Sequence, residues 1–193
     1  MHSVLKNILS LTEANLNRSS AHRNELEKII ENAPPAPDFA ASLRKPGRRI
    51  IAELKRTSPS EGLLRSGVDP VQIAESYESS GAAAISVLTE PTYFDGSLAD
   101  LELVSSRIGI PCLRKDFILD EIQILEARAA GAAAYLLIVA ALDDHQLRKL
   151  LTFGQGLGLT PLVEVHTAEE LERAIDLDAR CDENALKSDW ATF

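Results

Sequence analysis

The sequence has little cysteine. Only Cys112 and Cys181 occur among 193 residues, and with four scattered histidines they offer no spacing suited to a zinc site. Cys112 lies in an apolar, strand-like run and reads as a core thiol. Positive charge is also scarce: 20 Lys and Arg stand against 29 Asp and Glu, a net charge of −9, and no long basic block offsets it. Nucleic acids and anionic membranes both demand a positive face, so neither is an expected partner. A few local Lys and Arg still suffice for a small anion. No segment approaches 18 uninterrupted apolar residues, so no membrane span is expected. The stretch 1–9 mixes polar and apolar residues where a secretory signal needs a continuous apolar core. A soluble cytoplasmic protein is the expectation.

What is present is ordinary for one domain with a sizeable core, with 45% hydrophobic residues. Residues 1–48 read as an N-terminal helical extension packed on the rest. Leu5, Ile8 and Leu9, then Leu26, Ile29 and Ile30, are spaced like the apolar faces of short helices. Pro34, Pro35 and Pro37 break that pattern, and 38–43 allows one more helical turn before Pro46-Gly47.

From Arg49 the rhythm changes. Apolar runs recur at 50–54, 84–88, 111–113, 134–139 and 161–165, and between them lie helix-like segments with start signals. Asp69-Pro70 places a cap before a helix-starting proline. Asp120 with Gln123, Asp143 with Gln146 and Thr167 with Glu170 resemble capping boxes, the Asp-led pairs more loosely. Gly81 and Gly131 sit where helices should end. Ser80-Gly81-Ala82-Ala83-Ala84 echoes Ala130-Gly131-Ala132-Ala133-Ala134, each joining a helix to a strand. Strand starts roughly 25 to 35 residues apart suit βα units. Continuous apolar strands suit a parallel sheet. Two architectures fit: a five-stranded doubly wound sheet, or part of an eight-stranded barrel.

Charges stand at the ends of these runs. Strand alternation puts Ile51, Glu53 and Lys55 on one face, Leu113, Lys115 and Phe117 on another, and Leu162 with Glu164 on a third. Burying such groups singly is costly, so three strands ending in Lys or Glu point to a shared charged cluster. In a βα barrel that end is the active face; ordinary strand-end salt bridges are the competing reading. Two loops add to the picture. The connection 56–68, with Ser58-Pro59-Ser60-Glu61-Gly62, is long enough to be functional and suits phosphate contacts or a flexible surface equally. The connection 90–96 carries Tyr93 and Phe94, which offer either a stacking surface or packing over the rim.

At this point the residues resemble a known family. Ile51-Ala52-Glu53-Leu54-Lys55-Arg56-Thr57-Ser58-Pro59-Ser60 is similar to the first-strand signature of indole-3-glycerol phosphate synthases. Ser86-Val87-Leu88-Thr89-Glu90 with Tyr93-Phe94-Asp95-Gly96-Ser97 resembles the second. Arg114-Lys115-Asp116-Phe117-Ile118, Leu136-Leu137-Ile138-Val139 and Pro161-Leu162-Val163-Glu164-Val165 resemble the third, fourth and fifth. The helical start and Asp38-Phe39 resemble the family's extension before the barrel. The resemblance implies an α/β fold of the TIM (β/α)8-barrel family and no cofactor. It implies closure of the indole ring of a small phosphorylated aromatic substrate, 1-(2-carboxyphenylamino)-1-deoxyribulose 5-phosphate, with loss of carbon dioxide and water. It assigns Lys115 as general acid, Glu164 as general base, Lys55 as holder of the substrate carboxylate and a proton donor in dehydration, and Glu53 as the group that orients the lysines and binds substrate. Ser58 would help hold phosphate, and Phe94, Phe117 and Leu136 would line the pocket for the aromatic ring.

The pattern stops after Asp178-Ala179-Arg180. The expected organisation is therefore an extension over 1–48, a partial βα barrel of about five units over 49–179 and a divergent tail over 180–193. The family's later strand motifs do not follow, and 193 residues fall short of the roughly 250 usual for this barrel. A C-terminally truncated product or altered reading frame is the expectation, with little activity. The alternative is a noncatalytic fragment that needs a partner to complete the fold.

Overall fold

A computed structural model describes residues 3–58, 62–63 and 69–177; the divergent tail expected over 180–193 lies outside the described residues. Five strands form one parallel sheet in chain order: β1 (Ile51–Leu54), β4 (Ala84–Leu88), β5 (Cys112–Lys115), β6 (Ala134–Ile138) and β7 (Thr160–Glu164). The first strand stands at an edge. A doubly wound sheet would place it in the interior, so the barrel order is the one realised. The two-residue strands β2 (Thr57–Ser58) and β3 (Gly62–Leu63) pair antiparallel within the long first loop.

Each strand is followed by a helix with a chemical start. Asp69 caps α4 (Pro70–Ser79) through the Val71 N–H, with Pro70 opening the helix. Ser97 caps α5 (Leu98–Ser105). Asp120 and Gln123 form a complete reciprocal box on α6 (Glu121–Ala129), as do Asp143 and Gln146 on α7 (Asp144–Gly156). The Thr-led box on α8 (Ala168–Asp176) is only half made. Thr167 accepts the Glu170 N–H, but the Glu170 carboxylate reaches one residue further back, to the His166 N–H at 2.7 Å. The expectation that the Asp-led boxes would be the looser ones is thus reversed.

The repeated Gly-Ala-Ala-Ala segments do the same job twice. Gly81 and Gly131 adopt φ of +90° and +80°, a region open to glycine and costly for other residues. The following alanines turn the chain straight into the sheet. The Ala83 N–H donates to Ile50 O and the Ala133 N–H to Cys112 O, both at 2.8 Å.

Alternation along the strands makes two layers. One face of the sheet, carrying Ile85, Val87, Cys112, Tyr135 and Leu137, packs under the helices in the main core. Cys112 is buried there as expected, and burial pushes its thiol pKa up to about 12. The other face carries Ile51, Ala84, Leu113, Ala134 and Leu162, and Phe39 of α3 (Phe39–Arg44) packs against it, 1% exposed. Because Phe39 covers the apolar, N-terminal ends of that face, the charged C-terminal ends are left open.

The N-terminal helices α1 (Ser3–Asn15) and α2 (Ser20–Glu31) complete the described chain. Leu26 of α2 packs on Ile122 and Leu125 of α6. Around that contact three bases meet three acids of α6: Arg18 with its N-cap Asp120, Arg23 with Glu121 and His22 with Glu126. Ile122 and Leu125 are buried under this cover while Ile124 and Ala127 pack into the main core, so six of the nine residues of α6 are buried from two sides.

Candidate active site at the strand ends

The inner face ends in two ion pairs. Lys55 Nζ lies 3.5 Å from Glu53 Oε1 at the end of β1. Lys115 Nζ lies 3.1 Å from Glu164 Oε2, reaching from β5 to β7 across β6. The strand in between offers only aliphatic side chains on this face: Leu136 pairs in register with Leu162, and Ile138 with Glu164. The second oxygen of Glu164 contacts His166 Nε2 at 2.9 Å. The site thus holds two ammonium groups and two carboxylates at one end of one sheet.

These four groups are not buried, contrary to what apolar strand runs suggest. Their side chains are 29–36% exposed. The strand ends rise clear of the apolar layer, so each charge keeps part of its hydration and can meet a ligand from solvent.

The aromatic lining also assembles. The Phe94 and Phe117 ring centroids sit 6.4 Å apart with the planes tilted by 34°, within the separation at which aromatic rings attract. Leu136 is 3% exposed beneath the rim. Ser58 forms the end of β2, and its side chain lies outside the described residues. A shallow, open hollow adjoins the site; Lys55, Leu88 and Phe94 line it, but Ile73 and Asp100 draw it toward α4 and α5 and away from Lys115 and Glu164.

Sequence reasoning missed what holds the aromatic loop. Glu90, 4% exposed, turns its carboxylate back under the loop and accepts the N–H groups of Thr92, Tyr93 and Phe94 at 2.9, 2.6 and 3.2 Å. A buried acid right after a strand was the available signal. Arg56 fixes the same loop from the other side. It donates to the Asp95 carbonyl and grips Asp100 through both nitrogens, at 2.5 and 2.9 Å. The Arg56 hydrogen bonds hold the Asp100 carboxyl below its usual pKa against the opposing effect of burial.

A family model described as indole-3-glycerol phosphate synthase matches residues 5–181. The chain belongs to the indole-3-glycerol phosphate synthase family. It is 49% identical over 180 residues to indole-3-glycerol phosphate synthase 1 of Streptomyces coelicolor, covering 92% of this chain and 67% of that one. It is 46% identical over 176 residues to the indole-3-glycerol phosphate synthase of Aquifex aeolicus, covering 91% and 68%. The enzyme of that name from Leptospira interrogans is 50% identical over 182 residues, covering 92% and 68%. The chain therefore spans about two thirds of the length of these relatives. Membership accounts for the order of the five units, which form consecutive parts of a (β/α)8 barrel. Among the described residues no helix is long and apolar enough to cross a membrane.

Proposed function

We propose that this protein catalyses the family reaction, closing the indole ring of 1-(2-carboxyphenylamino)-1-deoxyribulose 5-phosphate with release of carbon dioxide and water. The observation that carries this reading is the 3.1 Å contact of Lys115 with Glu164 at the strand ends, at the same end of the sheet as the Lys55–Glu53 pair.

The chemistry needs an acid, a base and a cation for a carboxylate. Lys115 donates its proton to the substrate carbonyl oxygen as the ring carbon attacks, which turns a poor electrophile into a good one. Lys55 holds the carboxylate that leaves as carbon dioxide, and Glu53, already paired with it, sets its position. Loss of carbon dioxide restores the benzenoid ring; Glu164 then takes a proton from the carbon beside the nitrogen while Lys55, freed of the carboxylate, donates one to the departing hydroxyl, so that water leaves and the indole double bond forms. Phe94 and Phe117 hold the substrate ring, Leu136 supports it from below, and Ser58 helps hold the phosphate. Two ammonium groups facing the developing negative charge also stabilise it electrostatically.

Acid–base groups work only when the substrate is held in reactive geometry. Among the described residues β1 and β7 are the outer strands of an open sheet. Turnover by the 193-residue chain alone is therefore expected to be low, and to rise when the C-terminal third of a relative is added. Indole fluorescence and carbon dioxide release with the carboxyphenylamino-deoxyribulose phosphate substrate test the assignment. Equimolar release of both products supports it. No product in the supplemented mixture, with the chain folded, rejects it.

A further inference from the structure

The opposite face of β5 carries a charge that packing does not ask for. In register, Arg114 lies between Val87 of β4 and Tyr135 of β6, both buried. An apolar side chain would fill that row; instead there is a guanidinium, 4% exposed. Its Nη2 donates to Asp116 Oδ2 at 3.0 Å and its Nε to Thr89 Oγ1 at 3.2 Å. Its Nη1 donates to the Gln123 carbonyl at 2.5 Å and to Glu126 Oε2 at 3.1 Å. Taking such a group out of water is costly even when paired, so an apolar row would hold the sheet at least as well.

What the cluster does hold is the segment that follows Lys115. Asp116 accepts the Thr89 hydroxyl at 2.6 Å through Oδ2 and the Phe117 N–H at 2.8 Å through Oδ1. Gln123 donates to the Phe117 carbonyl at 2.9 Å and accepts the Leu119 N–H at 2.8 Å. Both backbone polar groups of Phe117 are thus gripped by side chains, and the Lys115 carbonyl accepts the Thr89 N–H at 3.1 Å. The chain leaves β5 along one fixed path, with the Lys115 ammonium on one side of it and the Phe117 ring at its end.

We infer that Arg114 and Asp116 are positioning residues: from the helix-covered side of the sheet they set where the Lys115 ammonium and the Phe117 ring stand. The inference rests on the proposed role of Lys115 for its catalytic consequence, but not for its geometry. Side-chain networks of this kind rigidify when every member is satisfied and loosen when one is removed.

Reductive ¹³C-methylation of the folded 193-residue chain gives each lysine amine an NMR signal, and the Lys115 signal is identified by its loss in Lys115→Arg. Thr89→Val, nearly isosteric, and Asp116→Asn should each move or broaden the Lys115 signal while leaving that of Lys28, on α2, in place. Leu147→Ala, a core lesion in α7, should lower the melting temperature without moving it. On the supplemented enzyme, the first two variants should lower kcat about 10-fold or more with little change in KM, since small misplacements of a reacting group are costly. A Lys115 signal unmoved in a folded Thr89→Val chain overturns the positioning role. A signal that moves while kcat stays unchanged leaves the positioning intact and overturns the acid role of Lys115.

Discussion

The Lys115 ammonium and the Glu164 carboxylate meet at 3.1 Å although a whole strand, β6, separates β5 from β7. Their side chains span that strand because β6 presents only aliphatic groups there. Both are 30% exposed, and pairs of this kind contribute about 0–1 kcal/mol to stability. Structural need alone therefore does not explain the contact. Lys115→Ala should change the unfolding free energy by no more than about 1 kcal/mol. It should lower turnover about 100-fold or more, with substrate binding affected far less. Denaturant titration and steady-state kinetics on the supplemented enzyme check both halves.

The Arg114 side of the same strand makes the contrast. Removing one partner from a buried, hydrogen-bonded ion pair costs about 3–5 kcal/mol. Arg114→Ala should therefore destabilise by about that amount, several times the effect of Lys115→Ala. Equal effects of the two substitutions would show that burial does not separate these neighbours as described.

Much of this arrangement was legible in the sequence, for identifiable reasons. The continuous apolar runs fixed strand type, since a strand buried on both faces has no reason to alternate. Asp69-Pro70 and the Asp120–Gln123 pair marked helix starts because they satisfy specific backbone donors. Alternation placed Lys115 with Leu113 and Glu164 with Leu162, and the family resemblance singled them out. The failures are equally physical. Alternation says which face a residue takes but not how far the strand end rises, so the exposure of Lys115 and Glu164 was misjudged. Nor does it say which charge on a strand is buried; Arg114, its neighbour, is the one enclosed. The reach of Glu170 to His166 rather than Thr167 depends on the local path of the chain, which spacing does not encode.

Helix propensity and packing conflict at Gly154, in the last turn of α7. Alanine there should gain at most about 1 kcal/mol of helix propensity. Its methyl group, however, would collide with the Tyr135 ring and hydroxyl, and Tyr135 is fully buried with its hydroxyl donating to the Leu150 carbonyl at 2.8 Å. Overpacking of a closed core costs about 1–3 kcal/mol, so Gly154→Ala should be net destabilising. Urea denaturation reads the sign directly.

The Arg56–Asp100 pair gives a pH test. The folded-state pKa of Asp100 is lowered, chiefly by hydrogen bonding to Arg56. A depressed carboxylate pKa contributes stability that is present above the unfolded value, about 4, and is lost as pH falls through the folded value. Asp100→Asn should therefore be less stable than the parent by a constant amount between about pH 5 and 8. The gap should narrow below about pH 4. Denaturant midpoints across that range check it; a gap that widens on acidification would reverse the assignment.

Cys112 should be chemically silent in the folded chain. It is 2% exposed and burial raises its thiol pKa to about 12, so almost no thiolate forms at pH 8. With Cys181 replaced by serine, a thiol reagent should label the folded chain only through opening of the fold, far more slowly than the denatured chain.

The role of Glu164 as the base is read by single-turnover indole formation by the supplemented chain at saturating substrate, with Glu164 intact or as Glu164→Gln. The glutamine keeps the size and much of the hydrogen bonding to Lys115 and His166 but cannot take up a proton at neutral pH. Glu164→Gln should slow the reaction about 100-fold or more with substrate still bound. An unchanged rate in a folded Glu164→Gln chain would contradict that role.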